Sequence, residues 1–119
     1  MADPNIFNTT VISGNTAVQN VTTVLTSVVS NAAASGRVYR INSLIIANVD
    51  GVNAADVTVD LFRSSIAYRL ASTITVPADA SLVVISKENS IYLQEGDALR
   101  CAASANNDLE AICSFENIA

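Results

Sequence analysis

The chain has 119 residues, of which 50% are apolar and 14% are charged, and this predicts one globular domain with a hydrophobic core rather than a disordered segment. Eleven acidic against six basic residues give a net charge of −5 without any basic run, so a nucleic-acid-binding surface is not expected. The sequence contains no histidine, which removes the most frequent general base and most zinc sites. Since no glycine-rich phosphate loop occurs either, we expect no enzyme, no cofactor and no metal site.

The N-terminal residues 1–16 differ in composition from the domain that we assign to 17–119. They are polar and rich in Asn and Thr, with short apolar islands. Two interpretations stay open, namely a frayed terminus followed by an edge strand, and an arm that orders against a neighbouring subunit. In the second, the anchors buried against the partner are expected to be Ile6, Phe7, Val11 and Ile12.

The first residues also lack the charged segment and the apolar run of a signal peptide. No stretch of the chain approaches the ~18 apolar residues of a membrane helix. We therefore expect a protein that is made in a cytoplasm and does not contact a membrane.

Short runs rich in β-branched residues recur along the chain, separated by turn residues. This pattern predicts an all-β fold, an antiparallel β-sandwich of the jelly-roll or immunoglobulin-like type with about eight strands. In "DVTVDLF", Val57, Val59 and Leu61 are predicted to face the core, with Asp60 on the opposite face. "SLIIAN" is almost continuously apolar and predicts a central strand covered on both faces. The predicted strands are residues 21–26, 37–47, 55–62, 68–73, 81–85, 90–93, 98–103 and 109–115.

Two acid-containing loops are candidate sites. In "IYLQEGDALR", Glu95 and Asp97 flank Gly96, and this pair fits a catalytic dyad, half of a calcium site or the corner of a β-turn. We interpret it as a corner, because Gly96 supplies a positive φ and Asp97 can accept a backbone N–H there. The loop "NVDGVNAAD" faintly resembles a calcium loop but lacks the terminal Glu and flanking helices of an EF-hand. We interpret it as a connection between strands, with a weak cation site as the alternative.

The two cysteines, Cys101 and Cys113, fall in the last two predicted strands. If these strands form a hairpin with a three-residue loop at 106–108, the two cysteines are cross-strand neighbours; loops of two or four residues place them on opposite faces. We expect two small buried thiols, with a disulfide as the alternative.

The tyrosines raise the question of a carbohydrate-binding patch. Tyr39, Tyr68 and Tyr92, together with Arg side chains, supply residue types found in such patches. Because Tyr39 and Tyr68 lie within or at the ends of predicted strands, packing at the rim of the sandwich is the favoured interpretation.

The order of motifs from residue 20 to residue 118 resembles a small β-sandwich found in virion proteins of tailed bacteriophages, most often of cyanophage type. The segments that carry the resemblance are "VYRINSLIIANVDG", "ADVTVDLF", "YRLASTITVPADASLVVI" and "SIYLQEGDALRCAASANNDLEAICSFENI". Cys101 stands where such sequences often have Val. The resemblance implies a non-enzymatic structural component of the virion, either a capsid cement (decoration) protein or a protein of the neck or tail.

From this resemblance we expect a capsid cement protein that stabilises junctions between major capsid subunits in the virion, assembled in the host cytoplasm. Its expected partners are the major capsid protein, other virion proteins and further copies of itself, and neither nucleic acid nor a membrane. The alternatives are a neck, tail or baseplate component, and a carbohydrate-binding module of a receptor-binding fibre.

Overall fold

The computed structural model describes residues 11–119, and in this part of the chain nine strands and one short 3₁₀ turn occur. The 3₁₀ turn spans Lys87–Asn89. The strands are β1 Ile12–Asn20, β2 Thr26–Ser30, β3 Val38–Asn48, β4 Ala55–Arg63, β5 Ile66–Val76, β6 Ser81–Ile85, β7 Ile91–Leu93, β8 Ala98–Ala103 and β9 Leu109–Ile118.

The strands form two antiparallel sheets that pack face to face. Sheet A has the order β1-β9-β3-β6, and β7 also pairs with β3; sheet B has the order β2-β8-β4-β5. Every strand pair within these sheets is antiparallel. The predicted all-β sandwich is therefore confirmed.

The core lies between the sheets and is built by alternation along the strands. Leu44 and Ile46 of β3 and Val57 and Val59 of β4 are completely buried, as is Leu99 of β8. Burying one such side chain contributes about 1.5–3 kcal/mol to folding. This core follows from the period-two pattern of the sequence, since every second residue of a strand points to the same face.

One detail of the predicted burial is wrong. "SLIIAN" lies in the central strand β3, but its outer residues, such as Ile45, are only partly buried, because a two-layer sandwich leaves one face of each sheet uncovered. Asp60 lies on the outer face of sheet B as predicted, yet it is 0% exposed. Its neighbour Arg100 covers it, as described below.

The predicted and observed strand boundaries agree best for short strands that have a turn at each end. Residues 81–85 and 98–103 are strands with the predicted bounds. Of residues 21–26, predicted as a strand, residues 21–25 instead connect β1 to β2, with Val21 buried in the core, and Thr26 is the first residue of β2. Residues 12–16 of the predicted arm lie in β1.

The predicted hairpin between the last two strands is also wrong. Strand β8 belongs to sheet B and β9 to sheet A, so residues 104–108 carry the chain from one sheet to the other. Cys101 and Cys113 are consequently not cross-strand neighbours. They enter the same core from opposite sheets, and both are free and fully buried.

Candidate assembly surfaces

The corner at residues 94–97 is a structural turn. Gly96 has a φ of 87°, and Asp97 accepts the backbone N–H of Gln94 at 2.8 Å. The Asp97 carboxylate also accepts hydrogen bonds from Nε and Nη2 of Arg63, at 2.9 and 2.5 Å. Glu95 accepts the N–H of Gly36 at 2.6 Å. The predicted corner is confirmed, and both carboxylates hold loops together.

Beside this corner, Asn31 closes the same end of the sandwich. Its side chain is 1% exposed. The Nδ2 group donates to the carbonyls of Arg37 and Leu93, at 2.9 and 3.0 Å, and Oδ1 accepts the hydroxyl of Ser35 at 2.6 Å. A buried amide with its hydrogen bonds satisfied fixes the connection at residues 31–37 against the end of β7.

The acidic loop between β3 and β4 is held by its own side chains. Asp50 accepts the N–H groups of Val52 and Asn53, at 2.8 and 3.2 Å, and these bonds lower the pKa of Asp50. Partial desolvation raises the pKa of Asp108, and the nearby charge of Asp50 adds to that rise. The predicted connection is confirmed. Within residues 11–119 no three His, Cys, Asp or Glu side chains are grouped so that they could hold a metal ion.

The two thiols lie in an apolar environment. Burial raises the pKa of Cys101 to about 11, with a further contribution from the charge of Asp60. Burial likewise raises the pKa of Cys113 to about 12, and Cys101 adds to that effect. Because the thiolate is the nucleophile, neither cysteine is activated for chemistry at neutral pH.

Asp60 and Arg100 form an ion pair on the outer face of sheet B. Arg100 Nε and Nη2 donate to the two oxygens of Asp60, at 2.9 and 2.8 Å, and these bonds raise the pKa of Arg100. The Arg100 guanidinium also lies over the Phe62 ring, 3.9 Å from its centroid. A planar guanidinium can pair with a carboxylate at its edge and stack on a ring at its face, which Lys cannot do. This face therefore has its buried charge neutralised within the chain.

The tyrosines do not converge on one patch. Tyr39 packs against Phe115, with ring centroids 5.4 Å apart. Tyr92 lies on β7 opposite Arg40, and Tyr68 lies on β5 in the other sheet. Their hydroxyls are thus distributed over both sheets, which agrees with a packing role at the rim.

The outer face of sheet A carries an exposed apolar row. Ile112 of β9 pairs with Val18 of β1 and with Ile45 of β3, and Ile45 pairs with Val83 of β6. Paired side chains of neighbouring strands lie on the same face. Val18 is 73% exposed, Val83 57% and Ile112 38%. These four residues, the apolar row, cross the whole sheet on the side away from the core.

Sequence reasoning did not identify the apolar row. Its members come from four strands that are far apart in the chain, and each one alone is an ordinary exposed aliphatic residue. The only signal was apolar residues at outward positions, such as Ile112 between the buried Ala111 and Cys113. Strand order was needed to bring them together.

Two of the four predicted arm anchors, Val11 and Ile12, lie at the N-terminal start of β1. Val11 exchanges backbone hydrogen bonds with Ala119, and Ile12 pairs with Ile118. The side chains of Val11 and Ile12 are 53% and 56% exposed. Ile6 and Phe7 lie outside the described residues. In residues 11–119 no helix has the length and apolar character needed to cross a membrane.

No family model matches the chain, and no curated protein matches it. Solved structures with a similar fold include one described as "Bacillus endospore appendages form a novel family of disulfide-linked pili", with a TM-score of 0.56 and 14% identity over 100% of this chain and 96% of that one. Another is described as "Acidic stable capsid structure of Helicobacter pylori bacteriophage KHP30", with a TM-score of 0.52 and 7% identity over 93% and 90% of the two chains. At these identities the likeness establishes a shared sandwich fold. A phage capsid structure is among the structures with this fold, and the likeness is not specific to cyanophages.

Proposed function

We propose that this chain is a structural subunit of a bacteriophage virion, a cement protein that docks over junctions between major capsid subunits. The observation that carries the proposal is the apolar row on the outer face of sheet A. Exposed apolar surface that is continuous across a sheet marks a contact face rather than a solvent face.

The geometry of the row suits a broad, shallow contact. Its members lie side by side on four strands, so they present a flat strip instead of a cleft that would hold a small molecule. Polar side chains border the strip, since the next outward pair along β9 is Thr16 and Ser114, whose hydroxyls are 3.5 Å apart. An apolar centre with a polar rim is the usual composition of a protein–protein interface.

The likenesses support the same proposal. The two similar structures are those of a pilus and of a phage capsid, and both are assemblies of many subunits. In such an assembly a modest contact repeated many times becomes strong through effective concentration. The two paired buried acids, Asp60 and Asp97, are used within the fold and offer no catalytic dyad.

We also propose that the N-terminal segment reaches a neighbouring subunit, with Ile6, Phe7, Val11 and Ile12 as anchors. The support comes from the apolar islands in the sequence and from the exposure of Val11 and Ile12. Strand β1 is an edge of sheet A, so a chain that precedes it can leave the sandwich without crossing the core.

Incorporation into particles tests the contact face. Particles assembled without this protein are incubated with purified wild-type chain, with Val83→Asp or with Val52→Asp, and bound protein is quantified after sedimentation. Val52 is 84% exposed in a loop away from the apolar row, so Val52→Asp is the matched control. We expect Val83→Asp to abolish binding and Val52→Asp to leave it unchanged. Equal binding of all three proteins would contradict the proposed face.

The arm is tested in the same assay by deleting residues 2–10, which leaves β1 intact. We expect a folded protein that no longer binds particles, and undiminished binding would refute the proposed role of the arm.

The number of copies per particle distinguishes a cement protein from a neck or tail component. A cement protein is present at many capsid junctions, whereas a neck or tail component forms a single small ring.

A further inference from the structure

Strand β5 is an edge of sheet B and is unusually open to solvent. It pairs only with β4 among the described strands. Every residue from Ile66 to Leu70 is exposed, on both faces of the strand, although this stretch includes large apolar side chains. Ile66 and Tyr68 are each 53% exposed, and Leu70 is 41% exposed.

The apolar side chains of this stretch lie on the face of sheet B that is turned towards the core. Tyr68 pairs with Leu61, which packs against the buried core, so the Tyr68 side chain lies on the core face. Ile66 shares that face by the period of the strand, whereas Leu70 lies at the register shift between Arg69 and Ala71. The sandwich thus leaves an apolar strip uncovered along this edge.

From Ile66 to Arg69 the edge also lacks the features that normally prevent strands of two molecules from pairing. Such edges are protected by Lys, Pro, inward-pointing charges or bulges. The register shifts of β5 lie beyond Arg69, and the positive φ of Thr73 is in the same C-terminal half. From Ile66 to Arg69 the strand is regular, and Arg69 is its sole charged residue.

We propose that β5 pairs antiparallel with β5 of a second copy of this chain, about a two-fold axis at Tyr68. The two four-stranded B sheets then become one continuous sheet. This inference concerns the chain itself and stands whether or not the protein belongs to a virion.

The sequence of the edge supports this register. In "IAYRL" a two-fold axis at Tyr68 places Tyr68 opposite Tyr68 and Ile66 opposite Leu70 of the partner copy, so apolar residue types are paired and the central Tyr68 pair lies in the regular part of the strand. The same axis places Arg69 opposite Ala67. An axis at Arg69 would instead oppose two like charges, which is destabilising.

Charge also favours this edge as the place where two copies meet. The chain carries a net charge of −5, but β5 contains no acidic residue. The nearest carboxylate in the register is Asp60, opposite Arg69, and it is already paired with Arg100. Two copies can therefore approach along β5 without bringing unpaired carboxylates together.

The experiment measures self-association of the full chain by sedimentation equilibrium, for the wild type, Tyr68→Lys and Val52→Lys. Val52 is 84% exposed in the loop between β3 and β4 and belongs to neither proposed contact, so its variant controls for added charge. We expect a dimer for the wild type and Val52→Lys, and a dissociation constant at least about tenfold higher for Tyr68→Lys. Circular dichroism and thermal unfolding verify that each variant is folded.

Cross-linking then tests the register. With oxidised glutathione as the oxidant, Tyr68→Cys is expected to form a disulfide-linked dimer, because the two new thiols face each other at the axis. Arg69→Cys, on the same strand, should cross-link far less, since its partner is Ala67. A wild-type chain that stays monomeric, a dimer unaffected by Tyr68→Lys, or equal cross-linking of both cysteine variants would overturn the proposal.

Discussion

Replacing Arg100 by Met should destabilise the fold more than any other single change of a charged side chain in residues 11–119. Asp60 is 0% exposed, and the Arg100 side chain that neutralises it is 19% exposed. Removing the cation leaves a buried carboxylate without its partner, which costs about 3–5 kcal/mol. The loss of the contact with the Phe62 ring adds to this cost.

The expected loss lies near the lower end of that range. Arg69 is the cross-strand neighbour of Asp60 in β5 and can supply part of the missing positive charge. We therefore expect a loss of about 3 kcal/mol, which for a chain of this length lowers the melting temperature by roughly 12 °C. Urea unfolding followed by circular dichroism measures the free energy directly.

A control and a double variant separate charge from packing. Arg40→Met removes the ion pair with Glu116, whose closest atoms are 3.7 Å apart and whose side chains are about one third exposed. This change should cost at most about 1 kcal/mol. In the double variant Asp60→Leu/Arg100→Met no buried charge remains, so most of the lost stability should return. A double variant as unstable as Arg100→Met would refute the electrostatic explanation.

The buried groups and the turns lead to four further predictions. Because burial raises the pKa of Cys101 to about 11 and that of Cys113 to about 12, both thiols should resist iodoacetamide in the folded protein and react after unfolding, as mass spectrometry can show. For the same reason the free energy of unfolding should not depend on the ionisation of these thiols below about pH 8.5, which is their pKa in the unfolded chain. It should fall as the pH rises from there through the pKa values of the folded protein, and stability that rises over this range would contradict the burial of the thiols. Ser64 and Ser65 have φ values of 53° and 63° in the two-residue turn between β4 and β5, so Ser64→Asn/Ser65→Gly should stabilise the protein by about 1 kcal/mol, visible as a higher urea midpoint. Asn31→Ala should cost about 2–4 kcal/mol in the same titration, because it leaves two backbone carbonyls and a hydroxyl without their partner, and a loss below about 1 kcal/mol would show that the loops do not depend on it.

The sequence predicted local structure well and pairing poorly, for a physical reason. Turn chemistry is local, so the corner at Gly96 and the bounds of β6 and β8 could be predicted from neighbouring residues. Which strands pair depends on contacts between distant parts of the chain. Adjacency in sequence suggested that β8 and β9 form a hairpin, whereas they belong to different sheets.

The burial of Asp60 could not be predicted for a related reason. Alternation correctly placed it on the outer face of its sheet, where a carboxylate is normally solvated. Its burial depends on Arg100, which lies 40 residues further along the chain and pairs with it only because β4 and β8 are neighbours. The apolar row on sheet A depends on strand order in the same way.

The two proposed contacts use surfaces at right angles and so do not exclude one another. Pairing along β5 extends sheet B within its own plane, whereas docking through the apolar row uses the outer face of sheet A. In a pair of chains joined at Tyr68, the two-fold axis stands perpendicular to the joined sheet, so both copies present the face of sheet A to the same side. The outer face of sheet B, where Asp60 is neutralised by Arg100, then faces away from the docked surface. A dimer formed through β5 would therefore bring two apolar rows to one surface, and Tyr68→Lys should weaken particle binding even though Tyr68 is not part of the row.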